Sequence, residues 1–213
     1  PIIKALRDGL VANRIEWVAG IINGTTNFIL TEMSQKGSAF ADVLKEAQRL
    51  GYAEADPTFD VEGIDAAHKL VILASIAFGM PLEIKKIYTE GITTITQEDI
   101  RYAAELGYCI KHLGIARESE AGVELRVNPT LVPNDSLLAK VDGAKNAVMV
   151  MGDAVGPTLY SGAGAGSEPT ASAVIADIVD VARAVSHDKT KYEHHLPVPY
   201  MGFVSSAIKA REI

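Results

Sequence analysis

The stretch GYAEADPTFDVEGIDAAHKLVILA, residues 51–74, joins an acidic loop to an apolar helix. Five carboxylates fall within twelve positions of it: Glu54, Asp56, Asp60, Glu62 and Asp65. From about residue 65 to residue 78 the sequence is apolar almost all round a helix apart from Lys69, which is typical of a buried helix. We therefore expect this helix to lie in the core of the domain.

Elements of both kinds are predicted around this helix. Apolar spacing, caps and stop glycines indicate further helices at 1–10, 25–36, 38–51, 96–107 and 167–185. Alternating patterns indicate strands at 14–23, 108–120 and 122–133, the last two as a hairpin, with one or two more in 146–162. Because there is no regular βαβ repeat, the pattern predicts an α+β fold: a mixed or antiparallel sheet covered on one face by helices.

Composition narrows the class of protein. A chain of 213 residues that is 48% hydrophobic can bury a substantial core. A formal charge of −7 without a basic stripe argues against nucleic-acid binding, and the longest apolar stretch, 70–80, is too short to cross a bilayer. A single cysteine, Cys109, excludes an internal disulfide and favours a reducing compartment, so we expect a cytoplasmic protein without a membrane partner.

Domain organisation is read from the same patterns. We assign residues 1–160 to one domain, 161–186 to a glycine-rich turn and helix, and 187–213 to a C-terminal tail. The sequence opens on Pro1 inside a helical pattern and stops without a closing signal. We therefore expect a fragment of a longer protein.

Asp65 and Lys69 lie four residues apart, on one face of the predicted helix. This spacing allows a charge-assisted hydrogen bond between the two side chains. Ion pairs at this spacing are common on ordinary helix surfaces and contribute little there. The otherwise apolar helix favours a second interpretation, in which the pair transfers protons.

The acidic loop before the helix also has two interpretations. Pro57 and Gly63 restrict its shape, and a rigid loop that carries Glu54, Asp56 and Asp60 can bind a metal ion or a substrate ammonium group. A solvated acidic loop is the commoner case. The spacing of an EF-hand is absent, and no histidine or cysteine adds a metal-ligand pattern.

Two glycine-containing turns precede helices. In NGTTN, residues 23–27, we expect Thr25 and Thr26 to cap the following helix, and the backbone N–H groups of Gly24 and Thr25 suit a substrate carboxylate. In SGAGAGSEPT, residues 161–170, the glycines do not have the G-x-G-x-x-G spacing of a dinucleotide fold. That turn suits either an accessory contact to a cofactor or ordinary tight packing.

Together these motifs resemble the homoserine dehydrogenase family. The resemblance rests on GIINGTTNFIL (20–30), LGYAEADPTFDVEGIDAAHKL (50–70) and GAGAGSEPTASAVIADI (162–178), and it covers nearly the whole chain. It implies the interconversion of L-homoserine and L-aspartate 4-semialdehyde with NADP or NAD as cofactor. It also implies a homodimer.

The resemblance assigns roles to residues. Lys69 is implied as the general acid and base, and Asp65 as its partner. The implied substrate-binding residues are Glu54 for the amino group, Asp60 as its assistant, and Tyr52, Gly24 and Thr25 as pocket lining. The implied cofactor contacts are Gly162, Gly164, Gly166 and Ser167.

In the family, a nucleotide-binding domain and a loop that binds a monovalent metal ion precede the region that this chain resembles. No metal ligand is therefore assigned here, and many bacterial members continue into a regulatory domain. Two other hypotheses stay open: a noncatalytic dimerisation or ligand-binding module, and the catalytic domain of a different nicotinamide-dependent dehydrogenase.

Overall fold

A six-stranded sheet forms the centre of the fold, in a computed structural model that describes the backbone of residues 1–191 and the side chains of residues 1–185. The strands are β1 (Ile15–Ile21), β2 (Tyr88–Thr89), β3 (Tyr108–Ser119), β4 (Gly122–Pro133), β5 (Lys145–Gly152) and β6 (Gly156–Ala163). They lie in the order β2-β4-β3-β1-β5-β6. All pairs are antiparallel except β2 with β4, so the sheet is mixed, as predicted.

The helices are α1 (Ile2–Lys4), which continues into a π-helical turn (Ala5–Gly9), then α2 (Gly24–Lys36), α3 (Phe40–Arg49), α4 (Thr58–Val61), α5 (Ile64–Phe78), α6 (Gln97–Glu105) and α7 (Ser167–Lys191). Short 3₁₀ turns occupy Ile84–Lys86 and Leu138–Lys140. The short elements α4 and β2 were not predicted. None of these helices, within the part of the chain that is described, is long and apolar enough to cross a membrane.

Helix α5 packs on the sheet and builds the main core. Leu70, which is fully buried, packs with residues of the neighbouring strands such as Val18, Val127 and Val150. Truncation of such a leucine to alanine costs about 2–5 kcal/mol. The predicted core position is confirmed for this inner face, whereas the outer face of the helix exposes His68, Lys69 and Ile72 to solvent.

A second core holds α2, α3 and α6 together. It is built by the buried residues Phe28, Ile29, Leu30, Met33, Val43, Ala47, Ala53, Val61, Ile92 and Ile100. The predicted caps are wrong for two of these helices. Asn23, rather than Thr25 or Thr26, caps α2 by accepting a hydrogen bond from the backbone N–H of Thr26. Helix α3 begins after Ala39 without a side-chain cap, so Ser38 does not cap it.

The opposite face of the sheet carries a smaller apolar cluster under the 3₁₀ turn Leu138–Lys140, with Ile21, Leu113, Val132 and Ala147 among its buried members. Since the helices of the two larger cores lie on the other face, the predicted α+β class is confirmed.

Two compact units divide the chain, Pro1–Gly164 and Ala165–Ile213. Residues 161–163, predicted in the glycine-rich turn, are the end of β6 in the first unit. The described part of the second unit contains α7, which exposes several apolar side chains, including Ile175, Ile178 and Val181. Most of the predicted tail, 187–213, lies outside the described residues.

Candidate functional site

Asn23 links the start of α2 to two carboxylates of the acidic stretch. Its side chain is buried, and its Oδ1 accepts the capping hydrogen bond at 2.9 Å. Its Nδ2 donates to Asp60 Oδ1 at 2.6 Å and to Asp65 Oδ2 at 2.8 Å. A neutral amide with two N–H donors thereby holds two acids in fixed positions.

Sequence reasoning missed the role of Asn23. One signal was present, because asparagine is among the best N-cap residues and stands first in NGTTN. Its contacts with Asp60 and Asp65 span 37 and 42 positions, and nothing local in the sequence indicates them.

Lys69 lies beside this network. Its Nζ donates to Asp65 Oδ2 at 2.7 Å, as the spacing predicts, and to the backbone oxygen of Ile22 at 3.3 Å. The Lys69 side chain is 50% exposed, whereas that of Asp65 is 19% exposed. An ammonium group has three hydrogens, so one donor of Nζ is left for a ligand.

Thr25 and Tyr52 adjoin Asp60. The hydroxyl of Thr25 donates to the backbone oxygen of Tyr52 at 2.7 Å and lies 3.2 Å from Asp60 Oδ2. The Tyr52 ring packs against Phe28 with centroids 4.9 Å apart. Five of the predicted residues therefore meet around Asn23: Asp60, Asp65, Lys69, Thr25 and Tyr52.

Glu54 and Asp56 behave differently from each other. The Glu54 carboxylate is exposed and makes no hydrogen bond or ion pair with residues 1–185, although its backbone oxygen accepts from Gln48. Asp56 accepts from both the hydroxyl and the backbone N–H of Thr58, and these bonds lower the pKa of Asp56. Asp56 thus shapes the loop, while Glu54 is available to a ligand.

Two of the predicted glycines, Gly24 and Gly164, lie where a side chain would not fit. A Cβ on Gly24 would lie 2.8 Å from the backbone oxygen of Ala144, and a Cβ on Gly164 would collide with the carboxamide of Asn146. Gly162 on β6 has open space around it. In the second unit, Gly166 has φ +113°, which favours glycine, and Ser167 is the first residue of α7.

Across the described residues, no group of three or more His, Cys, Asp or Glu side chains is arranged to hold a metal ion. Asp60 and Asp65 with Lys69 leave a local excess of one negative charge. This arrangement favours a cationic group of a ligand.

Sequence comparison identifies relatives over the full length of the chain. The family model described as homoserine dehydrogenase matches residues 1–179. Homoserine dehydrogenase of Pseudomonas aeruginosa is 64% identical over 213 residues, which is 100% of this chain and 48% of the relative. That of Bacillus subtilis is 49% identical over 86% of this chain and 42% of its own length.

Solved structures agree in fold. A homoserine dehydrogenase from Thiobacillus denitrificans superposes with a TM-score of 0.87 at 70% identity, over 93% of this chain and 46% of that one. A hyperthermophilic archaeal homoserine dehydrogenase in complex with NADPH has a TM-score of 0.71 at 30% identity, over 84% and 51%.

The fold is thus that of the α+β part of a dehydrogenase family. The chain belongs to the homoserine dehydrogenase family. It spans about half the length of the curated relatives it matches.

Proposed function

We propose that this chain supplies the substrate-binding and proton-transfer part of a homoserine dehydrogenase, which interconverts L-homoserine and L-aspartate 4-semialdehyde with NADP or NAD. The observation that carries the proposal is the position of Lys69. Its Nζ is held 2.7 Å from Asp65 and is half exposed, beside an acidic cluster that suits an amino acid's ammonium group. Family membership supports the same conclusion.

Lys69 is proposed to transfer the proton. Oxidation of the primary alcohol removes a hydroxyl proton and a hydride from the adjacent carbon. In the oxidation direction the neutral amine form of Lys69 takes the proton from the hydroxyl oxygen and becomes an ammonium group, and in the reverse direction the ammonium form returns a proton to the carbonyl oxygen. Asp65 and the Ile22 backbone oxygen orient Nζ for both directions.

The acids bind the substrate ammonium group. Glu54 offers an exposed carboxylate without a partner among residues 1–185, and Asp60 adds a second one, oriented by Asn23. Tyr52, Gly24 and Thr25 line the pocket next to them. A pair of carboxylates favours a substrate with an α-amino group over one without it.

The proposed contacts of the nicotinamide cofactor are Gly162, Gly164, Gly166 and Ser167. When bound, the cofactor would accept the hydride. Two observations support these contacts. A Cβ added to Gly162 would have no atom within 4 Å, so the backbone there is accessible, and Ser167 begins a helix whose N–H groups suit an anion. The structure of the archaeal relative contains NADPH, whereas the choice between NADP and NAD in this protein stays open. The upstream monovalent metal ion stays a prediction from the resemblance.

A homodimer is also part of the proposal. Half-buried apolar side chains gather on the sheet face away from α5: Trp17, Ala19, Ile115, Met149 and Leu159. Two such faces are suited to sheet-on-sheet packing. Sedimentation of the intact protein would test this, with Ala19→Lys expected to give monomers. The cytoplasmic location stays a prediction that rests on the single cysteine.

The enzymatic proposal is tested by comparing two substrates in the intact protein. L-homoserine should be oxidised with NADP or NAD, and 4-hydroxybutyrate, which lacks the amino group, should be a much poorer substrate. Glu54→Gln should weaken homoserine binding in calorimetry and reduce the preference for homoserine over 4-hydroxybutyrate. A preference for 4-hydroxybutyrate would favour a different dehydrogenase.

The noncatalytic module makes a different prediction. Under that hypothesis the folded intact protein oxidises neither substrate, and Lys69→Ala lowers stability without a catalytic defect. Absence of homoserine turnover with both cofactors, in a protein that melts cooperatively, would reject the proposed function.

A further inference from the structure

Asn146 is a polar residue at the end of a row of apolar side chains on strand β5. Side chains alternate along β5, so Asn146 shares a sheet face with Val148 and Val150, both of which are in the core beneath α5. The β1–β5 register pairs Ile21 with Ala147, and continuing it by one pair sets Asn146 opposite Ile22. The backbone oxygen of Ile22 is the one that accepts from Lys69.

The Asn146 carboxamide lies between two of the predicted ligand-binding glycines. A Cβ added to Gly24 would lie 3.3 Å from Asn146 Oδ1, and one added to Gly164 would collide with Nδ2. Gly164 therefore leaves room for the carboxamide, whereas Gly24 is required by the backbone oxygen of Ala144, 2.8 Å from an added Cβ. Rotation about χ2 of Asn146 exchanges Oδ1 and Nδ2 and brings the donor to the Gly24 side. Asn146 is half-buried, and its side chain makes no hydrogen bond to the described residues 1–185. A half-buried amide without a protein partner is available to a ligand.

The chemistry of the substrate indicates what this amide binds. Homoserine carries a hydroxyl, an ammonium and a carboxylate group, and the proposed function assigns the hydroxyl to Lys69 and the ammonium to the acids. Those acids repel the carboxylate, which needs N–H donors. The backbone N–H groups of Gly24 and Thr25 at the start of α2 suit it, and the Asn146 carboxamide beside Gly24 can add a side-chain donor. The other carboxamide near Gly24 does not serve, because Asn23 uses Nδ2 for Asp60 and Asp65.

We propose that Asn146 is a substrate-contacting residue whose Nδ2 donates a hydrogen bond to the α-carboxylate of homoserine. The inference rests on the proposed function and adds a recognition element to it. It also explains why a polar residue ends the row that Val150 and Val148 begin. An uncharged donor suits this position, since a second lysine would pair with the nearby acids instead of the substrate.

The test uses the intact protein with Asn146→Ala and Asn146→Asp. A hydrogen bond to a charged group predicts a fall in kcat/KM for homoserine of about tenfold for the alanine variant, and about a hundredfold when aspartate repels the carboxylate. The KM for the cofactor should stay within about twofold, and calorimetry should show matching losses in homoserine binding. Melting temperatures should change little, because no protein partner is lost.

Asn128→Ala is the matched control. Asn128 is also a half-buried sheet asparagine, but its Nδ2 donates to the backbone oxygen of Pro129 at 2.7 Å. Its variant should lower the melting temperature and leave kcat/KM for homoserine unchanged. The same loss of kcat/KM in both variants would mean that the effect of Asn146 is structural, and would overturn the proposal.

L-homoserinamide tests whether Asn146 contacts the carboxylate group of the substrate. Its carboxamide is uncharged and can donate to a carboxylate, so Asn146→Asp should lose much less activity with the amide than with homoserine. Equal losses on both compounds, or a loss confined to the cofactor KM, would overturn the contact with the carboxylate. Unchanged Asn146 variants in an active enzyme would overturn this inference alone, whereas a wild type that neither binds nor oxidises homoserine would overturn the proposed function with it.

Discussion

Two lysine–aspartate pairs in this domain have similar geometry and opposite exposure. Lys69 Nζ lies 2.7 Å from Asp65, and Lys111 Nζ lies 3.0 Å from Asp142. The Lys69 side chain is 50% exposed and its aspartate 19%, whereas the Lys111 side chain is 4% exposed and its aspartate 52%. The ion-pair distance therefore does not distinguish the two lysines, whereas solvent exposure does, and only the exposed Lys69 is accessible for the proton transfer proposed above.

The surroundings of Lys111 explain its burial. Its Nζ also donates to the backbone oxygen of Val141 at 2.8 Å, at the turn that leads into β5. Asn27 donates to the backbone oxygens of Val141, Gly143 and Lys145 in the same turn. Lys111 thus holds the turn that leads into β5 against the sheet. Its ammonium group is buried and therefore not accessible to a substrate.

Lys69→Met should have the largest effect and would test the comparison most directly. Loss of a general acid and base lowers kcat by about 10²–10⁴-fold. Stability should change by about 1 kcal/mol or less, because the Lys69 side chain is half exposed and Asp65 keeps its hydrogen bond from Asn23. Steady-state kinetics and urea unfolding of the intact protein measure both. A kcat near that of the wild type would remove Lys69 from the reaction.

Asp65→Asn should have a smaller catalytic effect. The amide oxygen of the new side chain can still accept from Lys69 and Asn23, so only the charge that orients Nζ is lost. We expect kcat to fall about tenfold, which corresponds to about 1.4 kcal/mol of transition-state stabilisation. Asp142→Asn is the matched control and should leave kcat unchanged. Equal kinetics for the two variants would make both pairs structural.

Lys111→Met should lower stability and leave kcat nearly unchanged, which is the opposite of the result expected for Lys69→Met. The substitution keeps an apolar stem of similar length but removes the donor to Val141, and an unsatisfied buried group costs about 1–3 kcal/mol. Because Asn27 still donates to the same oxygen, the lower half of that range is expected. Urea unfolding should show the loss while kcat stays within about twofold. A large fall in kcat would mean that Lys111 affects the site after all.

The comparison also shows what the sequence could and could not predict. Helix α5, its buried inner face and the contact of Asp65 with Lys69 follow from local spacing, as does the α+β class. The burial of Lys111 does not, because any residue of an alternating strand that lies on that face has the same local pattern. Asn23 and Asn146 were missed for a related reason, since their neighbours Asp60 and Gly164 are remote in sequence.

His112, the next residue after Lys111, is a third buried titratable group and has the smallest predicted effect. It is 3% exposed and lies beside Gly63, the residue that precedes α5, where a Cβ would come within 3.0 Å of the ring. Its Nε2 lies 2.9 Å from the backbone oxygen of Glu90, which can only accept. Nε2 therefore carries the proton, and the buried Nδ1 has no partner in the described residues.

Protonation of His112 should destabilise the fold. Burial lowers its pKa, and the contact with Glu90 opposes that shift only in part. Since the unfolded chain titrates near the ordinary pKa of about 6.5, it binds the proton more readily than the native state, and stability is lost as pH falls below that value. In His112→Gln the amide can still donate to Glu90, but nothing titrates.

Urea unfolding of both proteins between pH 7 and pH 5 measures this difference. We expect the wild type to lose about 1 kcal/mol more than His112→Gln over that range. Glu62 and Glu90, the carboxylates nearest to this region, remain in both proteins and cancel in the comparison. Parallel pH profiles would show that His112 takes up its proton in the native state without cost. A steeper wild-type profile would show that burial penalises charge at His112.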